Sequence, residues 1–412
     1  MSDEAEIAEG NQYAPSFKSQ YEGAYPDAEM NAYLGEIVLG MARTSHRPDL
    51  PWTFTVLNSS EVNAFALPGG TVCITRGLLH QLDSEAEFAA VMGHEVGHVC
   101  HRHSVQQQGQ SALVGLLVAG VAAGVSYAAP EYAEAGAALG AMGGQLVLLS
   151  YSRGDEMEAD QRGVEYSYRA GYDPRELTGV FELFKELKGG EAPPVFFSTH
   201  PLDDVRIDAV AEEVEAEYPE ILRNNGAGLV KTTPKWERLM KRLRAAQKVY
   251  DKYDAASADF GEALKSGNTA ALRPILARVE ECARALPKHA LLVSAVGVVN
   301  EKMGRKSVAK RQFEKAAAMQ SDLFEPRLYL AGMALEAGDA TAAHRYASQA
   351  VALYPHHYGA QFIDGRALDA QGNLKQAVER YDAVIQLAPR ESREHQFCAA
   401  RIAEIRGTGA SQ

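Results

Sequence analysis

Cysteine is scarce. Four occur in 412 residues, at Cys73, Cys100, Cys282 and Cys398, without the paired spacing of a metal finger. A chain this long buries a core without covalent staples, so the four read as free thiols and leave the compartment open. Basic charge is also short, with 41 Lys plus Arg against 54 Asp plus Glu and a net charge of -13. That balance argues against a nucleic-acid partner, because phosphate contacts need concentrated positive charge. Nor is there a visible signal peptide: the first six residues are acidic and polar, with no basic region and no apolar run. The expected location is therefore the periplasm if a leader has been removed from the sequence shown, and otherwise the cytoplasm. Long apolar runs are few. Residues 111–129 form a 19-residue stretch without charge, but nearly half of it is Ala and Gly and Pro130 ends it. With a second small-residue run at 135–149, it reads as a pair of buried or pocket-lining helices rather than a membrane span. Peripheral membrane association stays open.

The length predicts two or three domains. Residues 1–30 are polar and read as an extended segment or short helix, and 31–44 place apolar groups at helical spacing. Residues 52–57 (WTFTVL) and 71–75 (TVCIT) are strand-like, with Pro68, Gly69 and Gly70 as a turn between strands. Residues 76–108 read as helix. A charged amphipathic helix follows over 150–190, with Gly171 to Pro174 marking a break before the next helix, then a loop over 189–201 and a further helix over 202–218. Residues 224–234 look like a domain boundary.

The second half repeats with a period of 34 residues: Gly304, Gly338 and Gly372 keep this spacing, as do Ala309, Ala343 and Ala377, and Pro355 and Pro389. Phe313, Ala347 and Tyr381 recur in the same register. The period is that of the tetratricopeptide helix-turn-helix repeat. One helix pair cannot cover its own apolar face, so neighbours stack into a short solenoid with a concave surface. Such a surface either recruits a peptide or protein partner or braces the first domain.

The most informative motif lies in the predicted helix at 76–108. His94-Glu95-Val96-Gly97-His98 fits H-E-x-x-H, which puts two imidazoles on one helix face where they can converge on a zinc ion. Glu95 projects near that face and can take the proton of an attacking water. His101 and His103 read as helix-end groups, solvated or behind the ligands. A catalytic zinc needs a third protein ligand. Glu156 and Asp160 are i,i+4 partners on one face, so Glu156 can reach the metal while Asp160 bonds a ligand histidine and fixes its tautomer. Glu158 points away and is the second choice of ligand.

These stretches resemble an M48-family zinc metallopeptidase fused to tetratricopeptide repeats, in particular the soluble bacterial members that act on outer-membrane assembly. The resemblance is carried by residues 63–70 (NAFALPGG), 75–79 (TRGLL), the H-E-x-x-H at 94–98 and Ser152-Arg153. It continues with Glu156 and Asp160, Gly171-Tyr172-Asp173-Pro174, and Ser198-Thr199-His200-Pro201 ahead of Arg206. It implies an α+β zincin-like (gluzincin) domain, mostly helical with a small sheet, over residues 1–225. A linker and leading helix at 226–262 and an all-α repeat solenoid at 263–405 would follow.

The resemblance further implies that His94, His98 and Glu156 bind one zinc per chain, that Glu95 polarises the water, and that Asp160 orients His94. His200 in the His-Pro loop would occupy the remaining metal position and hold the enzyme off. Arg206 would steady either the transition-state oxyanion or the carboxylates around the metal. Asn63, Ala64 and Phe65 would end an edge strand against which an extended substrate lies. The function expected is a zinc endopeptidase acting on unfolded or misassembled proteins, in all expectation of the cell envelope, with the repeats recruiting substrate or partner. The alternative is a chaperone-like or adaptor protein that works through its repeats.

Overall fold

The computed structural model describes residues 1–106, 151–188 and 196–409. The two small-residue runs predicted as helices, and residues 189–195 of the predicted loop, lie outside them. The chain divides into two compact units. The first comprises Met1–Ala14 with the described parts of 24–247, and the second comprises Pro15–Gly23 with residues 248–409.

The polar N-terminus forms helix α1 (Asp3–Gln20), longer than its weak apolar pattern predicts. Asp3, Glu4 and Glu6 in its first turn and Lys18 in its last suit the helix dipole. Glu6 is buried against Arg47, at 2.8 Å. After α2 (Ala28–Arg43) come β1 (Thr53–Leu57), β2 (Ala64–Leu67) and β3 (Thr71–Thr75). Among the described residues they form one sheet in the order β1-β3-β2, with β1 parallel and β2 antiparallel to β3. The central strand β3 is buried throughout, as its unbroken run of Thr, Val, Cys and Ile requires. Gly69 and Gly70 make the β2–β3 turn at φ +80° and +97°, and a Cβ on Gly69 would meet Ile7 Cα at 2.7 Å. Only glycine serves there.

Residues 76–108, predicted as one helix, are three: α3 (Arg76–Gln81), α4 (Glu85–His101) and α5 (His103–Gln106). Ser84 interrupts the first two with a capping box, its Oγ accepting from Glu87 N–H at 3.0 Å while Glu87 Oε2 accepts from Ser84 N–H at 3.3 Å. Arg102, in the left-handed region at φ 59°, separates the second and third. Every residue of α4 from Phe88 to Val99 is buried. The next helix, α6 (Arg153–Arg169), is capped in the same way by Ser152 and Asp155. Helices α7 (Glu176–Lys188), α8 (Phe196–Thr199), α9 (Asp204–Glu217) and α10 (Pro219–Asn224) complete the first unit with the N-terminal part of α11 (Pro234–Lys265). The short α8 lies in the segment predicted as loop. No described helix is long and apolar enough to cross a membrane.

The second unit is helical among the described residues. After α12 (Leu272–Ala285) come three pairs, α13 (Ala290–Lys302) with α14 (Lys306–Met319), α15 (Glu325–Glu336) with α16 (Ala340–Leu353), and α17 (Tyr358–Ala370) with α18 (Leu374–Leu387). Gly304, Gly338 and Gly372 sit in the turn inside each pair at φ +75°, +76° and +78°, which explains their recurrence. Ala309, Ala343 and Ala377 are wholly buried. Packing volumes alternate with the repeat. A Cβ on Gly297 would meet the Phe313 ring at 2.7 Å, and one on Gly365 the Tyr381 ring at 2.7 Å. In the middle repeat the equivalent positions are Ala331 and Ala347, both wholly buried, so alanine stands for glycine where alanine also stands for the ring. The last helix, α19 (Arg393–Gly409), sets Phe397 edge-on against Phe362 and Tyr381 and covers the final pair.

Candidate active site

Three glycines assemble the site. Built Cβ atoms on Gly93 and Gly163 would lie 3.1 Å from Gly163 O and 3.2 Å from His94 N, and one on Gly97 would lie 2.9 Å from Arg162 Cβ. Without side chains there, α4 and α6 touch backbone to backbone, and the histidines of one face the carboxylates of the other. Gly97, two residues after Glu95, is thus explained by packing, not by chemistry.

His94 Nε2 and His98 Nε2 lie 2.9 Å apart. Glu156, with 0% exposure, brings its carboxylate to 3.7 Å from the first and 3.5 Å from the second. His200, from the segment after α8, sets Nδ1 at 2.9 Å from Glu156 Oε1 and 3.3 Å from His94 Nε2. One ligand atom from each of the four falls within 4.8 Å of the others. On the far side of the first ring, His94 Nδ1–H donates to Asp160 Oδ1 at 2.9 Å, which leaves its Nε2 lone pair facing the cluster. Glu95 is buried beside it. One of its oxygens accepts from the backbone N–H of Ala66, whereas Oε1 has no hydrogen-bond partner among the described residues. Two or three imidazoles, a carboxylate and a facing lone pair in a buried space are the donor set and arrangement that suit zinc.

The charges follow from the packing. Burial holds His98 well below the ordinary histidine value, so its ring is neutral and able to ligate. Burial, the largest single influence, lowers His94 too, but the bond and charge of Asp160 and the charge of Glu156 together outweigh it and the net shift is upward. Burial alone would raise Glu156; the charge of His200 and its hydrogen bond reverse the effect and hold it well below the carboxylate range. Glu95 goes the other way, because burial pushes its carboxyl up, which makes it a stronger proton acceptor.

Arg206 on α9 is 3% exposed and engaged with two carboxylates and a backbone carbonyl. Its Nε and Nη2 donate to the two oxygens of Asp160 at 2.7 and 2.8 Å, and its Nη1 donates to Pro201 O at 2.8 Å and lies against Glu156. Of the two roles the resemblance implies, the geometry matches the steadying of carboxylates. Asn63 and Ala64 are buried, Phe65 is half-buried, and β2 lies at the sheet edge with its Ala66 amide on Glu95. A narrow apolar cleft lined by Leu177, Val180, Phe181, Phe184 and Phe196 opens beside His94, His200 and Arg206. Phe196 stacks on His200, with ring centroids 4.4 Å apart.

One group escaped the sequence reading, and another was left between two readings. Tyr151 stacks on His98 at 3.9 Å between centroids, and nothing but its place before Ser152 marks it. Of the two readings of His103, the one behind the ligands holds: it is buried, with Nδ1 2.8 Å from His98 Nδ1. Glu158 stands outside the four-residue cluster, as its face of the helix predicts, but it is bonded to His103 and His101.

The family model of peptidase family M48 matches residues 28–214. This stretch is an M48-family peptidase domain. It includes the whole cluster and ends within α9, beyond Arg206. The β-barrel assembly-enhancing protease of Yersinia pestis is 29% identical over 211 residues, covering 50% of this chain and 43% of that protein. The mitochondrial metalloendopeptidase OMA1 of Arabidopsis thaliana is 35% identical over 171 residues, covering 42% and 33%. The chain thus spans less than half the length of these relatives. A solved structure, MamA 41-end from Desulfovibrio magneticus RS-1, matches 39% of the chain and 97% of its own at 18% identity and a TM-score of 0.31.

One consequence for the M48 domain is pH-dependent stability. Burial, with the charge of Asp160 adding to it, pushes the Glu213 carboxyl on α9 up to about 7. Its folded value lies above its unfolded one, so the folded state holds the proton more tightly. Stability is then greatest below the unfolded value near 4.5 and falls as pH rises through about 7. The partly exposed side chain limits the loss to on the order of 1–2 kcal/mol. Urea unfolding of parent and Glu213→Gln at several pH values should show this slope in the parent and a flatter profile in the variant.

Proposed function

We propose that the protein is a zinc-dependent endopeptidase. The observation that carries this is the convergence of His94, His98 and Glu156 beside a buried Glu95 that has one oxygen unpartnered. His94, His98 and Glu156 would hold zinc, which when bound would supply Lewis acidity and ease the deprotonation of water. Glu95 takes the proton of the attacking water and hands it to the leaving amine. Asp160 and Arg206 keep His94 and Glu156 in place. Strand β2 offers its edge to an extended peptide, and its Ala66 amide next to Glu95 puts that peptide's backbone near the base. Purified protein should degrade unfolded casein, lose this activity to a chelator and regain it with zinc. A protein that carries one zinc and cuts nothing would defeat the reading.

The proposal extends to a resting state in which His200 masks the site. Its Nδ1 bonds Glu156 and its Nε2 lies 3.6 Å from Glu95 Oε1, so the ring occupies the space in front of the base. His200→Ala should raise the initial rate on small peptides at unchanged zinc content. A bias of about 1.4 kcal/mol corresponds to roughly tenfold. A fall in rate would instead make His200 a transition-state donor.

For substrate we propose unfolded or misassembled envelope proteins, recruited by the helical repeats, and for location the periplasm. The support is the likeness to β-barrel assembly-enhancing proteases over the M48 domain. Export of the chain and its co-fractionation with periplasmic markers would test the location.

A further inference from the structure

We infer that His103 and Glu158 are positioning residues that hold His98 in its metal-binding tautomer. The inference rests on the zinc reading above. A neutral imidazole has one N–H and one lone pair, so the bond at one nitrogen decides what the other offers. For His94 the choice is made by Asp160. For His98 the facing group is another ring: His103 Nδ1, 2.8 Å from His98 Nδ1. Two nitrogens at that distance share one proton, and either ring can carry it.

Glu158 decides which. His103 Nε2 lies 3.1 Å from Glu158 Oε2, and a carboxylate only accepts, so this nitrogen carries the N–H. His103 Nδ1 is then the lone pair and His98 Nδ1 the donor. His98 Nε2 is left unprotonated beside His94 Nε2, as ligation requires. The opposite arrangement would turn the His103 Nε2 lone pair onto the carboxylate and protonate His98 at the nitrogen the metal needs. His101 anchors the end of the relay. Its Nε2 accepts from Arg162 Nε at 3.0 Å, so its Nδ1–H donates to the same Glu158 oxygen at 3.0 Å.

His101, His103 and Glu158 also have the composition of a metal site, with ligand atoms within 4.8 Å. The tautomers argue against one. Arg162 occupies the outer nitrogen of His101, and both ring nitrogens that face Glu158 are N–H donors, so neither offers a lone pair.

Zinc-loaded full-length protein labelled with 15N-histidine should show His103 as the Nε2–H tautomer and His98 protonated at Nδ1. Competition with a chromogenic chelator should show zinc affinity about tenfold weaker in His103→Ala, partly restored in His103→Gln, whose carbonyl can accept. Glu158 is 55% exposed, so Glu158→Ala perturbs the fold least and should weaken zinc in the same direction. Its metal-free melting temperature should match the parent's. An Nδ1–H tautomer at His103, unchanged affinity in Glu158→Ala, or a second zinc per chain would overturn the relay while leaving the peptidase reading intact. Absence of any bound zinc would instead remove the reading on which it rests.

Discussion

Glu95→Gln should keep its zinc and lose its peptidase activity by about 10²–10⁴-fold or more. The substitution is nearly isosteric, and none of the three ligands is touched. The oxygen held by the Ala66 N–H can be supplied equally by the amide carbonyl. What disappears is the proton acceptor, the Oε1 that has no partner among the described residues. His94→Ala and His98→Ala should lose metal and activity together, because each removes one of two nitrogens 2.9 Å apart. Atomic absorption of the four proteins, alongside initial rates on one unstructured peptide, separates ligand from base. A Glu95→Gln protein that cuts at the parent rate would refute the assignment of the base.

Arg206→Ala should be the most destabilising single change at this site, by about 3–5 kcal/mol. Its guanidinium is shared by Asp160 and Glu156, at 2% and 0% exposure. Removing it strands two buried carboxylates, and both must then bind a proton or admit water. Either response disturbs His94, which Asp160 orients. Arg206→Lys keeps a charge but not the fork that meets both oxygens of Asp160, so it should fall between alanine and parent. Urea unfolding of the metal-free proteins measures the effect. If Arg206→Ala is as stable as the parent and only slower, the guanidinium acts on the reaction rather than on the fold.

The readable parts of this protein share one property: they are local or periodic. His94, Glu95 and His98 could be placed because a helix sets residues four apart on one face, whatever surrounds it. Glu156 and Asp160 could be paired for the same reason. The repeat was legible because glycine at positive φ recurs wherever each helix pair turns, at Gly304, Gly338 and Gly372. Helix α1 is longer than the short helix or extended segment its sequence suggests, since its stability depends on terminal charges and on contacts such as Glu6 with Arg47 rather than on an apolar stripe. Over 76–108 the spacing of apolar groups does not show where the backbone turns aside at Arg102, whereas Ser84-Glu85-Ala86-Glu87 carries the residues of a helix start and marks the break there.

Helical spacing alone put the ligand histidines and the metal carboxylate on their own helix faces. It could not say that those faces meet, which depends on Gly93, Gly97 and Gly163 letting two backbones touch. Nor could it choose between the two roles open to Arg206, or between solvent and a place behind the ligands for His103. Those outcomes are bonds between groups 46 and 55 residues apart in sequence, such as Arg206 with Asp160 and His103 with Glu158. A side chain's reach is a few ångströms, so such bonds exist only once the packing of separate helices has set the distance.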